Sequence, residues 1–211
     1  MVCPPTRVKS ISHKQVQTLL AAAHGDRNEA LYVVALHTEL RLGEILGLKW
    51  ADVDLDAGKL SVRRSLKVTA NGLGFGPPKN KASRRSAPLN KPTVAALKAH
   101  RKHQHEERIS ASRWHDLDLV FPNRVGNPMD HNNLYHRDFK AALERAGLPM
   151  TFRFHDLRHT CATLLLSKNV NPKIVQEVLG HSNISQTMDT YSHVLPTMQE
   201  EAAAAIQSAL S

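Results

Sequence analysis

The sequence predicts an α+β domain, mostly helical, with a small antiparallel β-sheet inserted among the helices. Three observations predict it. Apolar residues recur at helical spacing before residue 50 and again after Asn90. Between them, residues 59–89 alternate and carry the turn signal Asn71-Gly72. At 211 residues the chain can bury one substantial core, and no internal repeat divides it.

The elements follow in order. Residues 1–9 read as a tail or the end of a linker, because Pro4 and Pro5 cannot continue a helix. The domain is therefore expected over residues 10–211. Ser12 is an N-cap, Gln15 completes a capping box, and Ile11 and Val16 sit at staple positions. Val16, Leu19, Leu20 and Ala23 make the apolar stripe, and Gly25 ends the helix. A second helix spans Asp26 to Thr38. Its centre, Leu31 to Leu36, is nearly all apolar, which predicts burial on most sides. A short helix from Leu42 to Leu48 follows, and Trp50 closes this helical block.

Asp54 to Gly58 form a turn. Leu60 and Val62 belong to a half-exposed strand that Leu66-Lys67-Val68 continues. Gly74 and Gly76 are expected to loosen the chain around Phe75, and Ser83 to Leu89 form a further strand. The expectation is one sheet of three strands. Pro92 then sits at N1 of a helix running to about Arg108. Leu119-Val120-Phe121 is a short buried stretch. Helices are expected at about 130–146, 155–168, 171–179 and 184–191, with a last one from near Pro196. Gly147 and Gly180 stand where C-caps belong.

Lys and Arg number 28 against 19 Asp and Glu, a net charge of +9. A domain so basic is expected to meet polyanions. No apolar run reaches the roughly 18 residues of a membrane span, and Met1 to Ser10 hold no apolar signal core. Two cysteines, Cys3 and Cys161, exclude a disulfide scaffold and fit a reducing cytoplasm.

Four clusters can carry chemistry: Arg41-Leu42-Gly43-Glu44, Pro77-Pro78-Lys79-Asn80-Lys81, His155-Asp156-Leu157-Arg158-His159, and Leu179-Gly180-His181-Ser182 followed by Tyr191-Ser192-His193. They suit phosphodiester cleavage. Arginine forks match the oxygens of a phosphate and stay charged, so Arg41 and Arg158 can form a clamp. His155 and Arg158, at i and i+3, share a helix face. Tyr191 is a candidate nucleophile, with an unperturbed pKa of about 10. Lys79 can reach in from a loop to protonate a leaving oxygen.

The order Arg…Lys…His-x-x-Arg…His…Tyr, with Leu40 to Trp50, Phe154 to Leu164, Leu179 to Ser182 and Asp189 to His193 around it, resembles the catalytic domain of the tyrosine recombinase (phage integrase) family. The resemblance runs along nearly the whole chain and is nearest to integrases of prophages and mobile elements. It implies the mostly helical recombinase fold and a role for each position. Arg41 and Arg158 would bind the scissile phosphate. Tyr191 would attack it, leaving a 3′-phosphotyrosine and a free 5′-hydroxyl. Lys79 would be the general acid, with Lys81 two residues away as the alternative. His155 would assist proton transfer from the tyrosine, and His181 would hydrogen-bond the phosphate. Glu44 would support Arg41 and His155. The resemblance also implies no cofactor, no metal, and double-stranded DNA as partner. The full-length protein would act as a homo-tetramer on DNA, in the cytoplasm of a bacterium.

The chain departs from the family pattern in two places. Glu39 stands where glycine is usual, two residues before the first arginine, and its carboxylate would repel DNA if it pointed into the clamp. The N-terminal helical domain that grips the far side of the DNA is expected to be absent. Other readings remain. His155 and His159, at i and i+4, could serve a metal-dependent nuclease. The chain could also be a DNA-binding module with weakened catalysis, or could act like a type IB topoisomerase.

Overall fold

The computed structural model describes residues 11–70, 72–78, 84–191, 206–207 and 210. The tail over residues 1–9, Lys79, Lys81, Ser192 and His193 lie outside the described residues. So does most of the helix expected from near Pro196.

Helix α1 (His13–Ala22) opens with the expected capping box, in which Ser12 and Gln15 cap each other. Gly25 takes a positive φ just beyond its end. Helix α2 (Glu29–Thr38) starts three residues later than expected, because Ala23 to Arg27 turn before it. Arg27 leaves that turn to pair with Glu107 at 2.7 Å. As its composition predicts, α2 is buried almost all round. It packs on α4 (Lys91–Ser110) and α7 (Phe154–Ser167) and forms the centre of the main core.

Helix α3 is short, Leu42–Leu46. A 3₁₀ turn at Trp50–Asp52 then leads into β1 (Val53–Asp54). The strands depart from expectation. There are two sheets among the described residues, where one was expected. Strands β1, β2 (Lys59–Ser61) and β5 (Ser86–Pro88) form an antiparallel sheet in the order β1-β2-β5, with Leu60 opposite Ala87. Strands β3 (Ser65–Thr69) and β4 (Gly72–Gly76) form a separate hairpin. The ladder breaks at Arg63 and Arg64, which both turn to the carboxylate of buried Asp52. Gly74 and Gly76 do not loosen the chain. They lie opposite Lys67 and Ser65 in the hairpin ladder.

Pro92 falls at the second helical position of α4, behind the Asn90 N-cap. Beyond α4, Leu119, Val120 and Phe121 are buried as expected. Helix α5 (His131–Asn133) continues through a π-turn into α6 (Lys140–Arg145). Then come α7, α8 (Pro172–Leu179) and α9 (Ile184–Tyr191). The far half of α7 joins α8 and α9 in a second, smaller core of Ala162, Leu166, Val175, Leu179 and Tyr191. Helix α7 thus belongs to both cores.

Gly43 sets how closely α3 approaches β3. A Cβ there would stand 2.7 Å from the Leu66 carbonyl oxygen and 2.7 Å from Ser65 Oγ. Gly43→Ala must push α3 away from the hairpin. It should cost about 2 kcal/mol in a denaturant unfolding experiment, with Arg41 displaced beside it.

Candidate active site

The candidate residues come from the start of α3, from α7, from the turn after α8 and from the end of α9. Arg41 is the extended residue that caps α3. Its backbone N–H donates to Glu44 Oε2 at 3.0 Å, and its Nη1 donates to Glu44 Oε1 at 3.0 Å. Glu44 is buried and also meets Arg85 Nη1 at 3.4 Å. One carboxylate therefore holds two arginines. The resemblance implied Arg41 and His155 as the partners of Glu44; the contact found beside Arg41 is Arg85.

Arg158 projects from the middle of α7 and is 3% exposed. Its guanidinium donates to two backbone carbonyls, Glu39 at the end of α2 and Leu179 at the end of α8. The carbonyl end of a helix carries partial negative charge, which suits a buried cation. Burial, then the positive charges of Arg41 and Arg85, push Arg158 down to about 10, so it stays charged at neutral pH. Arg85 is likewise held below its usual range, first by burial.

His181 follows Gly180, whose left-handed φ of 62° ends α8 and turns the chain back. The His181 Nδ1 lies 2.9 Å from Thr187 Oγ1, and Gln176 Nε2 donates to the His181 carbonyl at 3.0 Å. Burial, then Arg158 and Arg41, push His181 down to about 4. His155 is pushed to about 4 as well, by loss of water on its inner side and then by His159 and Arg158. Its outer edge is open to solvent. Both imidazoles are neutral at pH 7.

Tyr191 ends α9 and is 1% exposed, packed in the smaller core. Its hydroxyl lies 2.8 Å from His159 Nδ1. The His159 ring stands perpendicular to that of His155, with centroids 4.7 Å apart. Burial raises the phenol well above its ordinary value, and Arg158 opposes that rise. The fold therefore brings Arg41, Glu44, His155, Arg158, His181 and Tyr191 together.

Sequence reasoning did not select Arg85, and it considered His159 only within the His155 cluster and as a possible metal pair with His155. Strand parity was the available signal for Arg85, since it shares a face with buried Ala87 and Leu89. His159 lies one helical turn from His155, on the same face. Among the described residues, no group of three His, Cys, Asp or Glu side chains is placed to hold a metal ion.

Glu39 takes φ 54° and ψ 23°, the left-handed conformation that glycine adopts without strain. Its carboxyl is buried. Oε1 accepts from Cys161 Sγ at 2.9 Å, and Oε2 has no hydrogen-bond partner among the described residues. Burial raises Glu39 above the usual carboxylate range, and burial with the Glu39 charge raises the Cys161 thiol.

This arrangement of helices and small sheets is the fold of tyrosine recombinase catalytic domains. The structure of the Tn1549 transposon integrase in complex with transposon right end DNA matches with a TM-score of 0.78 at 24% identity, over 96% of this chain and 69% of that one. The catalytic domain of bacteriophage HP1 integrase matches with a TM-score of 0.57 at 21% identity, over 93% of this chain and 94% of that one. The chain belongs to the phage integrase family, whose sequence model matches residues 9–198. It is 37% identical over 210 residues to a XerC-like tyrosine recombinase of Caldanaerobacter subterraneus subsp. tengcongensis, covering 93% of this chain and 53% of that protein. It is 30% identical over 215 residues to the prophage integrase IntR of Escherichia coli, covering 95% of this chain and 51% of that protein. The chain spans about half the length of these curated relatives.

Glu39→Gly removes both the left-handed strain and a half-satisfied buried carboxyl. It should stabilise the fold by about 1 kcal/mol at neutral pH. Because the folded state raises the Glu39 pKa, the folded chain holds a proton that the unfolded chain releases. Wild-type stability therefore falls as pH rises from the unfolded value of 4.5 through the raised folded one. The advantage of Glu39→Gly should be larger at pH 8 than at pH 4, measured by urea unfolding at each pH.

Proposed function

We propose that residues 10–211 are the catalytic domain of a site-specific DNA recombinase, which breaks and rejoins double-stranded DNA through Tyr191. The observation that supports this best is the tyrosine hydroxyl held beside a cluster of arginines and neutral imidazoles. Such a cluster supplies fixed positive charge where a phosphate would gain negative charge.

In this reading Arg41 and Arg158 bind the non-bridging oxygens. The Tyr191 oxygen attacks phosphorus, and the bond to the 5′ oxygen breaks. Lys79, or Lys81, gives a proton to that oxygen, leaving a free 5′-hydroxyl and a 3′-phosphotyrosine. His155 assists removal of the tyrosine proton, and His181 hydrogen-bonds the phosphate. Glu44 keeps Arg41 in place. The covalent bond to Tyr191 conserves the energy of the broken phosphodiester, so rejoining needs neither metal nor ATP. As Tyr191 is buried, DNA binding has to loosen the packing of α9 on α8. The biological setting is integration or excision of a prophage or mobile element in the cytoplasm, by a homo-tetramer of the full-length protein on DNA. Among the described residues no helix is long and apolar enough to cross a membrane. A second reading, a DNA-binding relative with weakened catalysis, draws on Glu39, whose charge opposes ionisation of Tyr191.

The test is covalent capture. Wild type mixed with a pool of nicked duplexes of randomised sequence should leave an SDS-resistant adduct that protease shortens. Tyr191→Phe should leave none, and EDTA should not change the yield. Arg41→Ala should lower the rate by at least about 100-fold. A wild-type chain that binds DNA without an adduct favours the second reading, and recovery of the adduct in Glu39→Gly would identify Glu39 as the cause. With a net charge of +9, binding should weaken steeply between low and physiological salt, read by fluorescence anisotropy.

A further inference from the structure

We infer that His159 is the direct acceptor of the Tyr191 proton, and that His155 acts through it as a positioning residue. The inference rests on the recombinase reading and adds to it the group that touches the nucleophile.

Geometry carries the assignment. His159 Nδ1 lies 2.8 Å from the Tyr191 hydroxyl, a distance at which a proton can pass. The two residues sit on different helices, α7 and α9, and both are held by packing rather than by solvent. Among the described residues, the hydrogen-bond partner found at the phenol is His159, while the Glu39 carboxyl lies within electrostatic reach without bonding to it. The Arg158 guanidinium has no lone pair to offer. The Cys161 thiol donates to Glu39, and His181 Nδ1 is taken up by Thr187. His155 meets the His159 ring at 90° with centroids 4.7 Å apart, which fixes the orientation of the acceptor.

The charges around His159 keep it ready. Burial disfavours its imidazolium, as do Arg158 and Arg153, while Asp156 on the same helix favours it. His155 and His181 also lie within its electrostatic reach. The balance leaves His159 neutral before reaction, with Nδ1 able to accept when Nε2 carries the proton. A bound phosphate adds negative charge nearby and makes the imidazole more basic when a base is needed. On cleavage, the phenolic proton moves to Nδ1 as the oxygen's electron pair bonds to phosphorus and the 5′ oxygen leaves. On rejoining, the imidazolium returns that proton to the departing tyrosine oxygen.

Asparagine separates proton acceptance from positioning. In His159→Asn the side-chain oxygen stands near the place of Nδ1 and can accept a hydrogen bond, but it cannot take the proton. The experiment uses the duplex that wild type selects from the randomised nicked pool. Initial adduct rates are measured from pH 5.5 to pH 9 for wild type, His159→Asn and His155→Asn, with melting temperature and DNA affinity measured beside them. His159→Asn should be about 100-fold slower or more, with DNA affinity kept. Its rate should keep rising with pH where the wild-type rate levels off. His155→Asn should slow the reaction less and retain the wild-type plateau.

A His159→Asn rate within about threefold of wild type, with an unchanged pH profile, would overturn the inference. So would a faster rate, which would mean that the contact restrains the tyrosine. Should His159→Asn not fold, the His159 Cε1–H resonance is titrated by NMR in wild type and Tyr191→Phe. The inference requires its midpoint to move, and coincident titrations overturn it. Absence of any adduct from wild type overturns the recombinase reading itself, which is distinct from a wild-type adduct that His159→Asn leaves intact.

Discussion

Arg158 is a charged guanidinium almost fully buried, and its two backbone contacts organise the molecule around it. It joins the carbonyl end of α2 to that of α8 through α7. A buried cation left uncompensated would cost several kcal/mol. Here two helix ends, each with partial negative charge, take up that cost. The same contacts bring the main core against the smaller core that contains Tyr191. The side chain suited to holding a phosphate is thus also a structural tie, and the site lies along the seam that it closes.

The surroundings of Arg158 follow from that placement. Arg41 and Arg85 can stand near it because the Glu44 carboxylate holds both. His181 and His155 are kept neutral in the positive field, so the arginines are not opposed by further cations. Glu39 is the discordant member. Its backbone carbonyl serves Arg158, yet its side chain occupies a left-handed position and keeps one buried oxygen unsatisfied. The pairing with Cys161 offsets part of this cost, and the carboxyl lies within electrostatic reach of Arg158 and Arg85. What remains is strain, and a weak influence on Tyr191.

Much of the helical framework was legible. Capping signals at Ser12 and Gly180 are local, since a side chain or a glycine answers the needs of its own helix end. The apolar centre of α2 announced its burial because no polar face was left to meet water. The sheet was less legible. Whether Leu66 continues the strand of Leu60 depends on Asp52, whose carboxylate draws Arg63 and Arg64 aside. No property of residues 60–68 alone encodes that partner. Among the site residues, spacing along α7 placed His155 and Arg158 on one face. The pairing of Glu44 with Arg41 was legible in their spacing, whereas its contact with Arg85 was not, because Arg85 arrives from just before β5, 41 residues away.

Taken by itself, the sequence determined which candidate residue types are present, the order in which they occur, and the helices that stand around most of them. These follow from local propensity, capping and periodicity, which act over a few residues. Only the tertiary structure decided which of them touch. It gave Tyr191 to His159, joined Arg85 to the pair formed by Arg41 and Glu44, and set Glu39 against Cys161. Such contacts arise where buried polar groups from distant segments must find partners together, and that requirement is met by packing the whole chain, beyond the reach of any local pattern.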